Sequence, residues 1–269
     1  MSVSEPVQNN RLLHIESCGQ GEDVVLLHGW GMHGAYWQQL VNSLKDNYRL
    51  HCIDLPGHGK SEYQGQQQLD EFVSSIMQTI DSQTQRSFHL IGWSLGGLIS
   101  QRLTQLYPDR VKRLLLIAST ASFVQRDNWP HAMREQVLKG FADNLLQEYK
   151  TTLNRFLALQ VFGSDNQKQE LRKLKAKLYS RGEPHRAALQ AGLALLQSVD
   201  MRSELTSLDL PVMLLGGERD TLVPQTALSD MAGLLIQAEV HIIKGAGHAP
   251  FMSHQMEVIK RCQVFLNHE

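Results

Sequence analysis

Residues 88–98 read FHLIGWSLGGL. Phe88 to Ile91 is an apolar run of strand length, and a helical pattern follows from Leu95. Between them Gly92-Trp93-Ser94-Leu95-Gly96 has the G-x-S-x-G form. On its own that match would suit any glycine-rich strand-to-helix turn. A strand before it and a helix after it make it specific. Glycines at 92 and 96 remove Cβ atoms that would clash as the helix packs back across the strand. Ser94 is then presented at the carboxyl end of a sheet. The helix N-terminus beneath it favours developing negative charge.

Similar apolar runs flank this elbow. Val24 to Leu27, Leu50 to Leu55, Val111 to Ala118, Val212 to Leu215 and Val240 to Ile243 read as strands. Helix-period stretches lie between them, at Leu69 to Ile80, Leu98 to Leu106, Thr226 to Leu235 and Met256 to Leu266. The alternation predicts an α/β fold, a mostly parallel twisted sheet with helices on both faces. From about Ser122 to Gln197 no strand interrupts a helical pattern, and the segment is too long for a loop. The expected organisation is a core of residues 1–121 and 198–269 with a helical insertion at 122–197.

Composition narrows the function. The 269 residues carry 26 basic and 27 acidic side chains, so no global field calls for nucleic acid or an anionic membrane. The balance hides an asymmetry. Residues 122–197 hold 12 Lys and Arg against 7 Asp and Glu, a net of +5, and the remainder, 14 against 20, is −6. The densest part is Lys168, Arg172, Lys173, Lys175, Lys177, Arg181 and Arg186, of which Lys168, Arg172 and Lys175 share one helix face. On charge alone this is a solvated face. Three scattered cysteines, Cys18, Cys52 and Cys262, form no CxxC, so reduced structural thiols are expected. MSVSEPVQNN lacks a basic and an apolar region, and no stretch of about 18 apolar residues occurs. A cytoplasmic, non-membrane protein is the expectation.

A neutral serine needs a base. Of twelve histidines, His248 lies on a Gly-rich loop, Gly245-Ala246-Gly247-His248, after the last strand run. His89 and His241 fall inside strand runs, where structural roles are expected, and His254 and His268 fall in or near the terminal helix. The base needs an orienting carboxylate. Asp220 follows the strand run at 212–215, with Glu218 as nearest rival; Asp54 suits a structural turn at Leu55-Pro56-Gly57. An oxyanion needs donors held in place beforehand. The candidates are the backbone N–H groups of Leu95 and of Trp30, in His28-Gly29-Trp30-Gly31. His28 is expected to brace that loop.

The order Ser94, Asp220, His248 resembles that of the α/β-hydrolase superfamily. The likeness runs from about Arg11 to His268, and the insertion matches the superfamily's helical cap. The strings HGWGMHGAYW (28–37), DLPGHGKS (54–61), GWSLGGL (92–98), RFLALQ (155–160) and GHAPFMSH (247–254) carry a closer resemblance, to the pimeloyl-[acyl-carrier protein] methyl ester esterases of biotin synthesis. Of these, RFLALQ is the most discriminating. The resemblance implies a serine carboxylesterase without metal or organic cofactor. It implies that Trp30, Ser94, Leu95 and His248 bind substrate and that Phe156, Leu157, Ala158, Leu159 and Gln160 line an acyl tunnel, with Phe156 over the chain. It also implies an acidic acyl carrier protein met by Arg155, Lys168 and Arg172; Thr151 replaces a further basic residue, beside Lys150. The basic segment then steers that partner. A monomer is expected. A general short-chain carboxylesterase or a C–C bond hydrolase would share the triad, and a non-catalytic ligand receptor would share the fold.

Overall fold

The structure is a computed structural model that describes residues 12–267. The N-terminal string and His268 lie outside those residues. Seven strands form one sheet: β1 (Ile15–Gly19), β2 (Glu22–Leu27), β3 (Tyr48–Ile53), β4 (Phe88–Trp93), β5 (Val111–Ile117), β6 (Val212–Gly217) and β7 (Ala238–Ile243). Their order is β1-β3-β2-β4-β5-β6-β7. Every pair is parallel except β1 with β3. The helices are α1 (Gln38–Leu44), α2 (Leu69–Asp81), α3 (Leu95–Leu106), α4 (Glu135–Gln147), α5 (Tyr149–Gln160), α6 (Gln167–Leu178), α7 (Arg186–Ser198), α8 (Arg202–Leu205), α9 (Gln225–Ala232), α10 (Pro250–Ser253) and α11 (Gln255–Asn267).

Central strands read as unbroken apolar runs because helices cover both faces of a parallel sheet. Val24 to Leu27, Leu114 to Ile117 and Val212 to Leu215 are all buried. The antiparallel strand β1 was not anticipated. Its sequence, IESCG, is exposed except at Ile15, so it shows no apolar run. Backbone pairing from Ile15↔Ile53 to Gly19↔Arg49 defines it instead. Helix α2 begins with a capping box in which Glu71 accepts the Gln68 N–H at 2.9 Å.

Between β5 and β6 the chain forms α4 to α8, and α5 and α7 lie over the carboxyl end of the sheet. Trp30 Nε1 donates to Leu189 O of α7 at 2.8 Å, and the Phe156 ring of α5 stands edge-on to Trp30 at 4.7 Å. A Cβ on Gly192 would come within 2.8 Å of the Trp30 ring, so glycine permits this approach. Helix α6 is fastened to the turn after the Trp30 loop. Tyr36 donates its hydroxyl to Leu174 O, His33 Nε2 donates to Lys177 O (both 2.8 Å), and Lys177 Nζ donates to Ala35 O at 3.2 Å.

This fastening corrects the reading of the basic run as one solvated face. Arg181 turns inward, its side chain 8 % exposed, and binds the fully buried Asp54 and the exposed Glu16. Lys177 is half-buried over the Tyr36 ring. Lys168, Arg172, Lys173 and Lys175 remain exposed, with no ion pair among the described residues. Among the cysteines Cys18 is exposed, and Cys52 and Cys262 are buried free thiols.

Candidate active site

Ser94 joins β4 to α3 with φ +53° and ψ −116°, a conformation outside the regions open to most side chains. Its neighbours hold it there. Ser94 N–H donates to Ile117 O and Ser119 Oγ donates to Ser94 O, each at 2.9 Å. A Cβ on Gly92 would meet Gly96 O at 2.6 Å, and one on Gly96 would meet Leu27 O at 2.3 Å. Both glycines are therefore demanded by backbone contact.

His248 Nε2 lies 2.9 Å from Ser94 Oγ, and Nδ1 lies 2.8 Å from Asp220 Oδ2. Asp220 Oδ1 accepts the N–H groups of Leu222 (2.8 Å) and Val223 (3.0 Å). An acceptor at Nδ1 places the ring proton there. Nε2 then has a lone pair toward the Ser94 hydroxyl, the tautomer a base needs. Three residues spread over 154 positions thus form one relay at the carboxyl edge of β4, β6 and β7. Glu218, the rival carboxylate, accepts the Gly245 N–H at 2.9 Å and braces the His248 loop.

Two supports of His248 were missed by the sequence reading. Trp93 Nε1 donates to His248 O at 2.9 Å, and His248 N–H donates to Gln160 O at 2.8 Å. Trp93 carried a signal, as an indole beside the serine. Gln160 acts here through its carbonyl, which no side-chain pattern encodes.

The loop after β2 lies against the elbow. A Cβ on Gly29 would stand 3.3 Å from Ser94 Cβ. The Trp30 and Leu95 backbone N–H groups donate to no group among the described residues. His28 Nδ1–H donates to Gly29 O at 2.8 Å, and Leu55 N–H donates to Nε2 at 2.9 Å, so His28 pins the loop to the chain after β3. Burial pushes His28 down to about 3, with the nearby His58 adding to it; burial likewise pushes His58 to about 4. Both are neutral in the fold and bind protons more readily once unfolded. Their contribution is complete above about pH 6.5 and is lost as pH falls toward 4 and 3. Each contributes at most about 1.4 kcal/mol per pH unit in that window. Urea midpoints are expected to fall steadily from pH 6.5 to 4.5; a flat profile would contradict these environments.

A second Ser–His–Asp chain shows why hydrogen bonds alone do not choose the site. Ser17 Oγ is 2.7 Å from His51 Nδ1, and His51 Nε2 is 2.8 Å from Asp23 Oδ1. Thr84 donates to the other carboxylate oxygen at 2.8 Å. Ser17, however, is paired within the edge strand β1 opposite His51. Its Oγ also donates to Gln83 Oε1 at 3.3 Å, in the turn after α2, and no helix N-terminus is among its partners. The network knits β1, β2 and β3 together.

Ser94 is 3 % and His248 1 % exposed, so the relay is covered. In the covering helix α5, Phe156, Leu157 and Gln160 are buried, and Ala158 and Leu159 half-buried. Arg155, Lys168 and Arg172 are exposed, on α5 and α6. His89 pairs with Glu22 at 2.9 Å, and His241 lies 3.4 Å from Glu239. His254, half-buried, contacts Ser253 Oγ. No helix among the described residues is long and apolar enough to cross a membrane.

Residues 24–255 match the model of the alpha/beta hydrolase fold family. Among curated proteins, a pimeloyl-[acyl-carrier protein] methyl ester esterase from Nitrosomonas europaea is 42% identical over 241 residues, 90% of this chain and 94% of that protein. One of the same name from Aeromonas hydrophila is 39% identical over 94% of this chain and 98% of its own length. An esterase from Exiguobacterium antarcticum superimposes with a TM-score of 0.88 over 95% of this chain and 96% of its own, at 19% identity. A bromoperoxidase from Bacillus anthracis does so at 0.86 and 21% identity over 94% and 95%. At such identities these two speak for the fold.

Proposed function

Because the chain belongs to the alpha/beta hydrolase family, and within it to the pimeloyl-[acyl-carrier protein] methyl ester esterases, we propose that it hydrolyses the methyl ester of a pimeloyl group carried on acyl carrier protein. The products are methanol and the carried acid, and the setting is biotin synthesis in the cytoplasm. The observation that carries the reading is the unbroken Asp220–His248–Ser94 relay in a chain this similar to named esterases.

His248 Nε2 takes the Ser94 proton as Oγ attacks the ester carbonyl. The Trp30 and Leu95 N–H groups receive the oxyanion, each such donor worth about 3 kcal/mol in the transition state. His248 then protonates the departing methoxide. Water, deprotonated by the same ring, cleaves the acyl-enzyme. Asp220 holds the tautomer and balances the imidazolium. Phe156 to Gln160 flank the acyl chain. Lys168, Arg172 and Arg155 attract the acidic carrier, which raises the encounter rate more than the chemical step.

The test compares methyl release from the carried ester with release from free monomethyl pimelate. The carried substrate is expected to turn over faster at low salt, with the advantage shrinking as salt rises. Turnover of small free esters without any of the carried one would make the protein a general esterase.

A further inference from the structure

Strand β7 ends the sheet and stands three places from β4, so the loop that carries His248 must reach back across β6 and β5 to Ser94. At a strand spacing of about 4.8 Å the reach is about 14 Å. Asp220 holds the His248 ring at Nδ1, but a ring held at one atom still moves with its backbone. Resting on the serine mechanism above, and not on the identity of the acyl group, we infer that Trp93 is a positioning residue. Its indole fixes the His248 peptide, and with it the imidazole, against the serine that follows Trp93 in the chain.

Trp93 is fully buried. Its Nε1–H donates to His248 O at 2.9 Å. Its ring meets that of Phe251, in α10, edge-on at 4.9 Å. The segment that supplies the base is therefore held at two points, one polar and one apolar. The loop after β2 leans on the same ring, where a Cβ on Gly29 would stand 3.3 Å from Trp93 Cδ2 and Cε3. One side chain thus touches the loop that offers the Trp30 N–H and the loop that offers the base, and it is joined by a peptide bond to the nucleophile. A buried carbonyl that loses its donor is costly, so the His248 loop would shift to find another. A displacement of about 1 Å at a reacting group can cost about a hundredfold in rate.

Trp37 supplies the matched control. It is equally buried, stands 6.5 Å from Trp93 and 4.6 Å from Phe251, and its Nε1 has no hydrogen-bond partner among the described residues. Trp93→Phe and Trp37→Phe therefore remove the same atoms from one aromatic cluster, and the first alone takes a hydrogen bond from His248. The readings are kcat and KM for p-nitrophenyl acetate, and the low-field proton resonance of His248 Nδ1–H in its bond to Asp220. Trp93→Phe is expected to lower kcat about ten- to a hundredfold, with KM within about twofold, and to broaden the resonance by exchange with water. Trp37→Phe is expected to lower the thermal midpoint by as much, with kcat within about twofold of wild type and the resonance sharp. If Trp93→Phe is too unstable to assay, benzothienylalanine in place of Trp93 keeps the fused rings, exchanges the N–H for sulfur and gives the same reading. Equal kcat in the two phenylalanine variants, or a resonance that stays sharp in Trp93→Phe, would overturn the assignment. A rise in KM alone would overturn it too, by making the ring a wall of the substrate pocket. A wild type inert toward every ester would overturn the serine mechanism, and this assignment with it.

Discussion

Replacing Ser94 by alanine is expected to lower ester turnover by about 10⁵- to 10⁶-fold, in a protein with an unchanged far-UV spectrum and thermal midpoint. The loss is large because the relay acts as a unit. Without Oγ, His248 has no proton to take and no covalent intermediate forms. What persists is the slow reaction of water in a site that still binds the ester and still offers the Trp30 and Leu95 N–H groups. The fold should tolerate the change. Ser94 Oγ contacts His248 alone among the hydrogen bonds of the relay, and the strained backbone is held by Ile117 O and Ser119 rather than by the side chain. Single-turnover kinetics with p-nitrophenyl acetate would measure it. Full activity in well-folded Ser94→Ala protein would remove the mechanism.

Asp54→Ala is expected to cost stability. The Asp54 carboxylate is fully buried. It accepts Gly34 N–H at 2.6 Å, Lys60 N–H at 2.9 Å and Arg181 Nη1 at 3.1 Å. Burial alone would raise its pKa; the Lys60 and Gly34 N–H groups and the Arg181 guanidinium act against it, and the carboxyl lies below its ordinary value. Alanine would leave two N–H groups without their acceptor and the nearly buried guanidinium with Glu16 alone. Breaking a buried pair in this way costs about 3–5 kcal/mol, which for a chain of this size lowers the thermal midpoint by about 10 °C. Calorimetry at pH 7 would read it. A change under about 2 °C would mean that Arg181 and the turn re-pair locally.

The same ion pair marks a limit of sequence reading. Arg181 sits in a run of basic residues, and nothing local separates it from Arg172. Its partner lies 127 positions away, and only the packing of α6 against the turn at 33–36 brings the two together. The central strands were legible for the opposite reason: burial on both faces writes itself as an uninterrupted apolar run. Strand β1, exposed and paired through its backbone, wrote nothing comparable. Ser94, Asp220 and His248 could each be picked out because each follows a strand run, where a parallel sheet gathers its loops. Of the supports of His248 through its own backbone, the Trp93 indole left a trace beside the serine, whereas the Gln160 peptide carbonyl left none.

That peptide carbonyl limits how the molecule can breathe. Helix α5 covers Trp30 with Phe156, and one turn later its last residue, Gln160, receives the backbone N–H of His248. A roof whose far eave is bolted to His248 cannot lift from that eave without slackening that residue. The opposite end of the helix is held differently, with Arg186 over the Tyr149 ring, so the two ends of the roof answer to different parts of the chain. The covering helix and the loop of His248 then share one fulcrum.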